Sequence, residues 1–137
     1  MAIAIEGAAA PMFHVYDMPT SVAFYRDVLG FAVVHHSTPF TDAKDDFGWV
    51  MLRLGGTELM LNNAYEDNIR PDAPNAARTQ AHRDTTLYFH CVDVDSAYEY
   101  LTSKGILAGK PKVAYYGMKQ CYLRDPDGYS LCFQCAV

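Results

Sequence analysis

The first half of the chain alternates between apolar and polar positions in four short segments. Such alternation predicts strands, because successive side chains on a strand point to opposite faces. The predicted strands span residues 11–16, 31–36, 48–54 and 57–63. After the first of them, apolar residues recur at helical spacing, with Asp17 or Thr20 as the cap, Pro19 in the first turn and Gly30 at the end. The predicted order is therefore strand, helix and three strands (βαβββ).

The second half repeats this order of elements. Strands are predicted at residues 85–92, 113–116, 119–124 and 130–136. The helix between the first two carries Ala97, Tyr98 and Leu101, with Asp95-Ser96 as its cap and Gly105 at its end. The last two strands are joined by Asp125-Pro-Asp-Gly128, a turn signal in which proline presets φ and glycine accepts a positive φ. This pair is therefore a hairpin.

The two halves also match residue by residue. His14-x-x-Asp17 matches His90-x-x-Asp93 at an offset of 76, and Gly56–Asn62 matches Gly128–Gln134 at an offset of 72. An internal repeat of this kind decides the fold prediction. The chain is predicted to be a single α+β domain, residues 1–137, with tandem βαβββ units at 10–63 and 85–136. The polar segment 64–84 shows no sustained period and is predicted to be a linker between the units, a mobile lid, or both.

Each predicted sheet has one apolar face and one mixed face. The apolar faces should pack the helices and carry Phe13, Val15, Leu59, Leu61, Leu87, Phe89, Leu131 and Phe133. The mixed faces carry Met12, His14, Tyr16, Trp49, Met51, Glu58, Met60, Asn62, Thr86, Tyr88, His90, Ser130, Cys132 and Gln134, with Tyr115, Tyr116 and Tyr122 as candidates for a rim. Aromatic, methionine and amide groups together favour a pocket for a flat or extended organic ligand. The alternatives are a small closed core or a face open to water.

Composition narrows the possible partners. The net charge is -5 with no basic run, which argues against nucleic acid and anionic membranes as partners. No apolar run reaches the roughly 18 residues of a membrane span. Residues 1–11 lack the basic start that is typical of a signal peptide. The four cysteines are predicted to be free thiols, as expected of a protein in the reducing cytoplasm. Cys132 and Cys135 should point to opposite faces of one strand, so they are not expected to act as a redox or zinc pair.

Three features together resemble one known family. They are Phe24-Tyr-Arg-Asp-Val-Leu-Gly-Phe31, the doubled βαβββ plan and Arg124-Asp-Pro-Asp-Gly-Tyr129. They resemble the vicinal oxygen chelate superfamily, which includes glyoxalase I, extradiol dioxygenases, fosfomycin-resistance enzymes and bleomycin-resistance proteins. The resemblance covers residues 11–134. It implies eight strands in curved sheets around a cavity, and a homodimer in which the units of two chains complete each other.

The resemblance also implies where a divalent metal would bind through His and Glu side chains. The four corresponding positions here are Ala10, Met60, Thr86 and Cys132. None is a carboxylate or an imidazole, so no metal and no cofactor are predicted. His14 and His90 lie on the same strand faces, four residues beyond the vacant positions. The pseudo-two-fold axis of the family would separate them, so each is expected to line a cavity or to act alone as an acid-base, not to share a metal.

The sequence therefore predicts a metal-independent protein that binds and sequesters a small molecule, similar to bleomycin-resistance proteins. The ligand would be antibiotic-like or an aromatic metabolite. The alternative is a lyase, isomerase or dioxygenase of the same superfamily that uses a divalent metal or a histidine acid-base, so enzymatic activity stays open. The residues expected to contact the ligand are Met12, His14, Tyr16, Trp49, Glu58, Met60, Asn62, Tyr88, His90, Cys132 and Gln134. His35, His36 and His82 are expected to be exposed and without a role.

Overall fold

A computed structural model describes residues 2–66 and 69–137 of the chain. The chain divides into two compact units, Met1–Arg70 and Pro71–Val137. Each unit contains one four-stranded mixed sheet and its own helices, so the predicted α+β plan with tandem βαβββ units is confirmed. Among the described residues, no helix combines the length and the apolar character that crossing a membrane requires.

The first unit follows the predicted order of elements. These are β1 (Met12–Val15), α1 (Met18–Val22), β2 (Ala32–His36), β3 (Trp49–Leu54) and β4 (Thr57–Asn63). The spatial order of the strands is β1-β4-β3-β2, with β1 parallel to β4 and the other pairs antiparallel. In the register, Met12 lies opposite Met60 and Trp49 lies opposite Asn62.

Helix α1 begins where the sequence predicts and then changes its hydrogen-bond pattern. Asp17 is the cap, and its carboxylate accepts a hydrogen bond from the Thr20 N–H at 3.1 Å. From Ala23 to Val28 the helix continues as a π-helix, in which hydrogen bonds span five residues instead of four. This wider turn was not predicted, because the apolar spacing of the segment is equally compatible with an α-helix. The fully buried Tyr25 ring packs edge-on against Phe24 and Phe31.

The second unit contains one element more than the first. Its elements are α2 (Ala76–His82), β5 (Thr86–His90), α3 (Val94–Ser103), β6 (Lys112–Val113), β7 (Met118–Arg124) and β8 (Ser130–Ala136). The strand order is β5-β8-β7-β6, the counterpart of the first sheet, with β5 parallel to β8. The register places Tyr88 opposite Cys132 and Cys132 opposite Tyr122.

Burial confirms the predicted apolar faces. In the first unit Phe13, Val15, Leu59 and Leu61 are buried, and Val50 and Leu52 of β3 join them. In the second unit Leu131 and Phe89 are buried together with Cys121 and Leu123, whereas Leu87 and Phe133 are half-buried. The apolar core of each unit therefore lies mainly on one face of its sheet. On the other face of the second sheet, Gln120, Ser130 and Cys132 are buried as well.

Strand β5, predicted at residues 85–92, spans only Thr86–His90. Two further predicted boundaries in the second unit are wrong. Helix α3 is capped by Asp93, not by Asp95-Ser96, because the Asp93 carboxylate accepts the Ser96 N–H and its own backbone is extended. The strand predicted at residues 113–116 is only Lys112–Val113. Tyr115 and Tyr116 instead form a turn, in which the Gly117 N–H donates to the Ala114 carbonyl at 2.9 Å and Gly117 has a φ of +85°.

Helix α2 lies inside the 64–84 segment, which shows no periodic pattern. Asn75 caps it by accepting the Arg78 N–H at 3.0 Å. His82, expected to be exposed, is half-buried: its ring stacks on Tyr129 with the centroids 4.0 Å apart, and its Nδ1 lies 2.7 Å from the Asp127 carbonyl oxygen. Helix α2 therefore packs on the turn between β7 and β8. Whether the segment acts as a linker or a lid stays a prediction.

Candidate functional site

The first unit contains a cavity of about 570 Å³ beside the ends of β3 and β4. Trp49 and Asn62, both predicted as ligand contacts, form part of its lining and lie opposite each other in the register. The rest of the lining comes from the β2–β3 loop and from the segment after β4. The full lining is Ser37, Thr38, Phe40, Gly48, Trp49, Asn62, Asn63, Ala64, Tyr65 and Glu66.

The β2–β3 loop that forms one side of this cavity is held by specific contacts. The Ser37 hydroxyl accepts hydrogen bonds from the Gly48 and Trp49 N–H groups, at 3.0 and 3.1 Å. The Phe40 ring packs so closely on Gly48 that an added Cβ there would lie 2.8 Å from it. At the far end of the loop, Asp45 accepts two hydrogen bonds from the Arg26 guanidinium, at 2.9 and 2.8 Å. These contacts hold the β2–β3 loop in the conformation that lines the cavity.

The acidic group in this cavity is not the predicted one. Glu58 forms an ion pair with Arg53 at 3.5 Å and is absent from the lining, whereas Glu66 belongs to the lining. Phe40, Tyr65 and Glu66 were all missed by the sequence analysis. They lie in segments without a period, so alternation does not assign them a face. The only sequence feature that points to them is their position: Phe40 lies in the loop between two predicted strands, and Tyr65 and Glu66 follow a predicted strand.

Next to the cavity, three methionines form a row across neighbouring strands. Met12 of β1 and Met51 of β3 both lie opposite Met60 of β4. Directly opposite side chains on one sheet face are about 4.5–5.5 Å apart at their Cβ atoms, which is contact distance for thioether side chains. Met60 and Met51 are half-buried, and Met12 is 44% exposed. This row offers flexible, polarisable surface and no charge.

The remaining predicted residues of the first unit lie at one end of β1. His14 is exposed and lies opposite Asn62, so His14, Asn62 and Trp49 form a second row across the sheet. Tyr16 follows β1, and the Arg70 guanidinium lies 5.1 Å from its ring centroid while donating to the Asp17 carboxylate at 2.7 Å. Hydrogen bonds from Thr20 and Arg70 outweigh burial and lower the pKa of Asp17.

On the mixed face of the second sheet, phenol and amide groups form a hydrogen-bonded network. The Tyr88 and Tyr122 hydroxyl groups are 3.0 Å apart, and either can donate. The Gln120 amide donates to the Tyr116 hydroxyl at 2.8 Å and to the Gln134 side-chain oxygen at 3.1 Å. Tyr122 also lies within 3.4 Å of the Gln120 side-chain oxygen, which joins the two groups. Gln120 was not predicted, although its position two residues before Tyr122 assigns it to the same face.

Cys132 lies between the two tyrosines of this network and is not suited to act as a nucleophile. It is 0% exposed, and burial raises the pKa of its thiol above the ordinary value of 9.0. The hydrogen bond with Tyr88, followed by burial, raises the pKa of Tyr122 as well. Both groups are therefore protonated at neutral pH. A nucleophilic cysteine needs the thiolate and some exposure, and Cys132 has neither.

The four positions that the resemblance assigns to metal ligands do not fit a divalent ion. Ala10 has no donor, Met60 lies within the methionine row, Thr86 has only a hydroxyl, and Cys132 is a buried thiol. A divalent ion bound by these four would lack the imidazole and carboxylate ligands that it requires. Throughout residues 2–66 and 69–137, no three His, Cys, Asp or Glu side chains are grouped so that they could hold a metal ion.

Comparison with known proteins gives a family match over most of the chain. The family model described as the glyoxalase/bleomycin resistance protein/dioxygenase superfamily matches residues 9–133. A search of curated proteins gave no significant match.

Solved structures share the fold over nearly the full chain. The antibiotic binding protein TnmS3 from Streptomyces sp. CB03234 has 19% identity and a TM-score of 0.70, with 99% of this chain and 100% of that chain covered. A bleomycin resistance determinant encoded on the transposon Tn5 has 23% identity and a TM-score of 0.64, with 96% and 98% covered. At this level of identity the two likenesses show the fold alone.

Proposed function

The chain belongs to the glyoxalase/bleomycin resistance protein/dioxygenase superfamily, and we propose that it binds and sequesters an aromatic small molecule without a metal. The observation that carries the proposal is the cavity of about 570 Å³ in the first unit. Its volume lies within the roughly 300–1,000 Å³ of small-molecule sites. The bleomycin resistance determinant and the antibiotic binding protein with the same fold make antibiotic-like compounds the first class of ligand to test.

The chemistry of the lining supports an aromatic ligand. Trp49, Phe40 and Tyr65 offer ring surfaces, on which a planar group can stack with a gain beyond that of burial alone. Asn62 and Asn63 supply amide groups that can orient the polar substituents of such a ligand. Glu66 adds one negative charge, which favours a ligand that also carries an amine or a guanidine.

The other predicted contacts extend the proposed binding surface within each unit. In the first unit, Met12 and Met60 continue the apolar surface next to Trp49, and His14 stands beside Asn62. In the second unit, Tyr88, His90 and Gln134 belong to the phenol and amide face. Cys132, also predicted as a contact, is fully buried beneath that face and offers no surface to a ligand. That face offers hydrogen-bond donors and acceptors.

Metal independence rests on the residues at the four expected ligand positions. A cation held by Ala10, Met60, Thr86 and Cys132 would lose its water without gaining compensating charge, which is strongly unfavourable. Elemental analysis after dialysis without chelator tests this part of the proposal. Near-stoichiometric zinc, nickel, iron or manganese, lost together with activity on chelation, would contradict it and favour the lyase or dioxygenase alternative.

Ligand binding itself is tested by fluorescence, because Trp49 is the only tryptophan of the chain. We expect antibiotics that carry a planar aromatic group, bleomycin among them, to change its emission in a saturable way and to raise the melting temperature. Asn62→Ala should weaken binding by up to roughly tenfold, the effect of one lost hydrogen bond. No saturable change with any compound of a broad aromatic panel would contradict the proposal.

A matched pair of acidic residues tests where the ligand binds. Glu66→Gln should weaken a cationic ligand by about fivefold at most, since an exposed charge pair contributes roughly 1 kcal/mol or less. Glu58→Gln removes the same charge outside the lining and should leave the affinity unchanged. An effect of Glu58→Gln as large as that of Glu66→Gln would place the ligand elsewhere on this unit.

A further inference from the structure

Cys91 directly follows β5, and Cys135 lies on the neighbouring strand β8; both are half-buried. The Cys91 N–H donates to the Gln134 carbonyl at 2.9 Å, which continues the parallel register of His90 opposite Gln134 by one residue. That register sets Cys91 opposite Cys135. Both thiols are free and half-buried. By alternation, both side chains point to the face that carries Phe89 and Phe133, away from the phenol and amide network.

The backbone spacing at this pair lies within the Cα range that a disulfide bridges. Neighbouring strands are about 4.8 Å apart, and disulfides join Cα atoms that are roughly 4.4–6.8 Å apart. We propose that Cys91 and Cys135 are a redox-active thiol pair, and that a peroxide oxidises them to a disulfide that joins β5 to β8.

The surroundings of the two thiols differ, which assigns their roles. Lys119 of β7 lies opposite Cys135 in the register, and its ammonium group also donates to the Asp95 carboxylate. Cys135 is therefore the cysteine of the pair that lies opposite a cationic side chain, and we assign it as the attacking residue. Burial, and then the proximity of Cys135, raises the pKa of Cys91. Cys91 therefore remains a thiol until the second step and resolves the intermediate.

The reaction is balanced with one peroxide molecule. The Cys135 thiolate attacks one peroxide oxygen, so that an S–O bond forms and the O–O bond breaks; the departing hydroxide takes a proton and becomes water. The Cys91 sulfur then attacks the sulfenic acid of Cys135. The S–S bond forms, the S–O bond breaks, and the proton of Cys91 leaves with a second water. Two thiols are oxidised by two electrons, and the peroxide is reduced to two waters.

The other two cysteines provide internal controls. Cys121 is buried and donates its thiol hydrogen to the Gly109 carbonyl at 3.2 Å. Cys132 is buried on the opposite face of β8 from Cys135. Burial raises the pKa of both thiols, so they should stay reduced under conditions that oxidise the pair.

The test is treatment of the folded, full-length chain with a small excess of hydrogen peroxide, followed by differential thiol labelling and peptide mass spectrometry. We expect the mass of each chain to fall by two hydrogen atoms. One linked pair of peptides should contain Cys91 and Cys135, and Cys121 and Cys132 should be fully labelled after unfolding. Dithiothreitol should reverse the change. A linkage between chains, oxidation of Cys121 or Cys132 first, or sulfinic acid at Cys135 without a linkage would overturn the proposal.

Variants separate the two roles. Cys135→Ser should prevent the first step, so that no cysteine reacts. Cys91→Ser should leave the first step intact and trap a sulfenic acid at Cys135, which a dimedone probe detects. In a chain that keeps both Cys91 and Cys135, Lys119→Met should slow their oxidation at neutral pH. Equal oxidation rates with and without Lys119, or dimedone labelling at Cys91 in Cys135→Ser, would overturn the assignment of Cys135 as the attacking residue.

Discussion

Gly128 must lack a side chain for two separate reasons. Its φ is +87°, a conformation that residues with a Cβ adopt only at a cost. In addition, an added Cβ would lie 2.5 Å from the Thr79 carbonyl oxygen of helix α2. The second reason arises because α2 packs on the β7–β8 turn. Glycine at this position therefore serves both the turn and its contact with the helix.

Gly128→Ala should destabilise the protein more than the same change at Gly105. Gly105 also has a positive φ, of +75°, but nothing lies within 4 Å of the added Cβ. We expect Gly105→Ala to lower the free energy of unfolding by about 1 kcal/mol and Gly128→Ala by roughly 2–4 kcal/mol. Urea denaturation of both variants measures the difference. Equal losses would contradict close packing of α2 on the turn.

The sequence predicts the turn that requires glycine at position 128, and it does not predict the contact of Gly128 with helix α2. Asp125-Pro-Asp-Gly128 is recognisable as a turn, and Asp125 does accept the Asp127 and Tyr129 N–H groups, at 2.8 and 3.0 Å. The contact with Thr79 is not predictable from local pattern. Helix α2 is seven residues long, has no buried residue and hence no apolar stripe that would reveal it.

The bounds of β4 and β8 were easier to predict than the hydrogen-bonding details of the helices. The bounds of β4 and β8 follow from alternation because every second residue faces a core. The π-helical segment and the cap of α3 were missed for a different reason. The spacing of apolar residues indicates which side of a helix is buried. It does not indicate whether each N–H donates to the carbonyl four or five residues earlier. It also does not indicate which of two nearby aspartates caps the helix.

The two faces of β8 should respond differently to truncation. Leu131 is fully buried on the core face, so Leu131→Ala should cost about 2–5 kcal/mol through the cavity it leaves. Gln134→Ala removes one hydrogen bond with Gln120 on the other face and should cost about 1 kcal/mol. Thermal and urea unfolding of both variants provide the comparison. Equal losses of stability would mean that the register is shifted by one residue.

Each unit has an open sheet with two edge strands. In the first unit these are β1 and β2, and in the second they are β5 and β6. Open edges with unpaired backbone groups favour pairing with another chain unless something covers them. Exposed apolar side chains accompany them, including Met12 on β1, Tyr88 on β5 and Val113 on β6.

We expect the protein to be a homodimer, as the family resemblance implies. A symmetric interface that buries about 1,500 Å² or more would be sufficient for a stable pair. Sedimentation velocity over a range of concentrations measures the association directly. A single monomeric species at micromolar concentration and above would contradict this expectation.

For the whole molecule, the internal repeat made the architecture predictable and left the candidate site only partly so. Trp49 and Asn62 were found because they lie on strands whose faces are set by alternation. Phe40, Tyr65 and Glu66 were not, because their positions depend on how a loop folds back, through contacts such as the one between Arg26 and Asp45.

The repeat preserves the backbone but not the chemistry of the mixed faces. Where the first unit has Met12, Met60 and Met51 in a row, the second has Tyr88, Cys132 and Tyr122. Met12, Tyr88 and Tyr122 of these rows are exposed, whereas Cys132 is fully buried. One unit therefore carries a row of thioether groups and the other a row with two phenols, so a single backbone plan supports two chemically different faces.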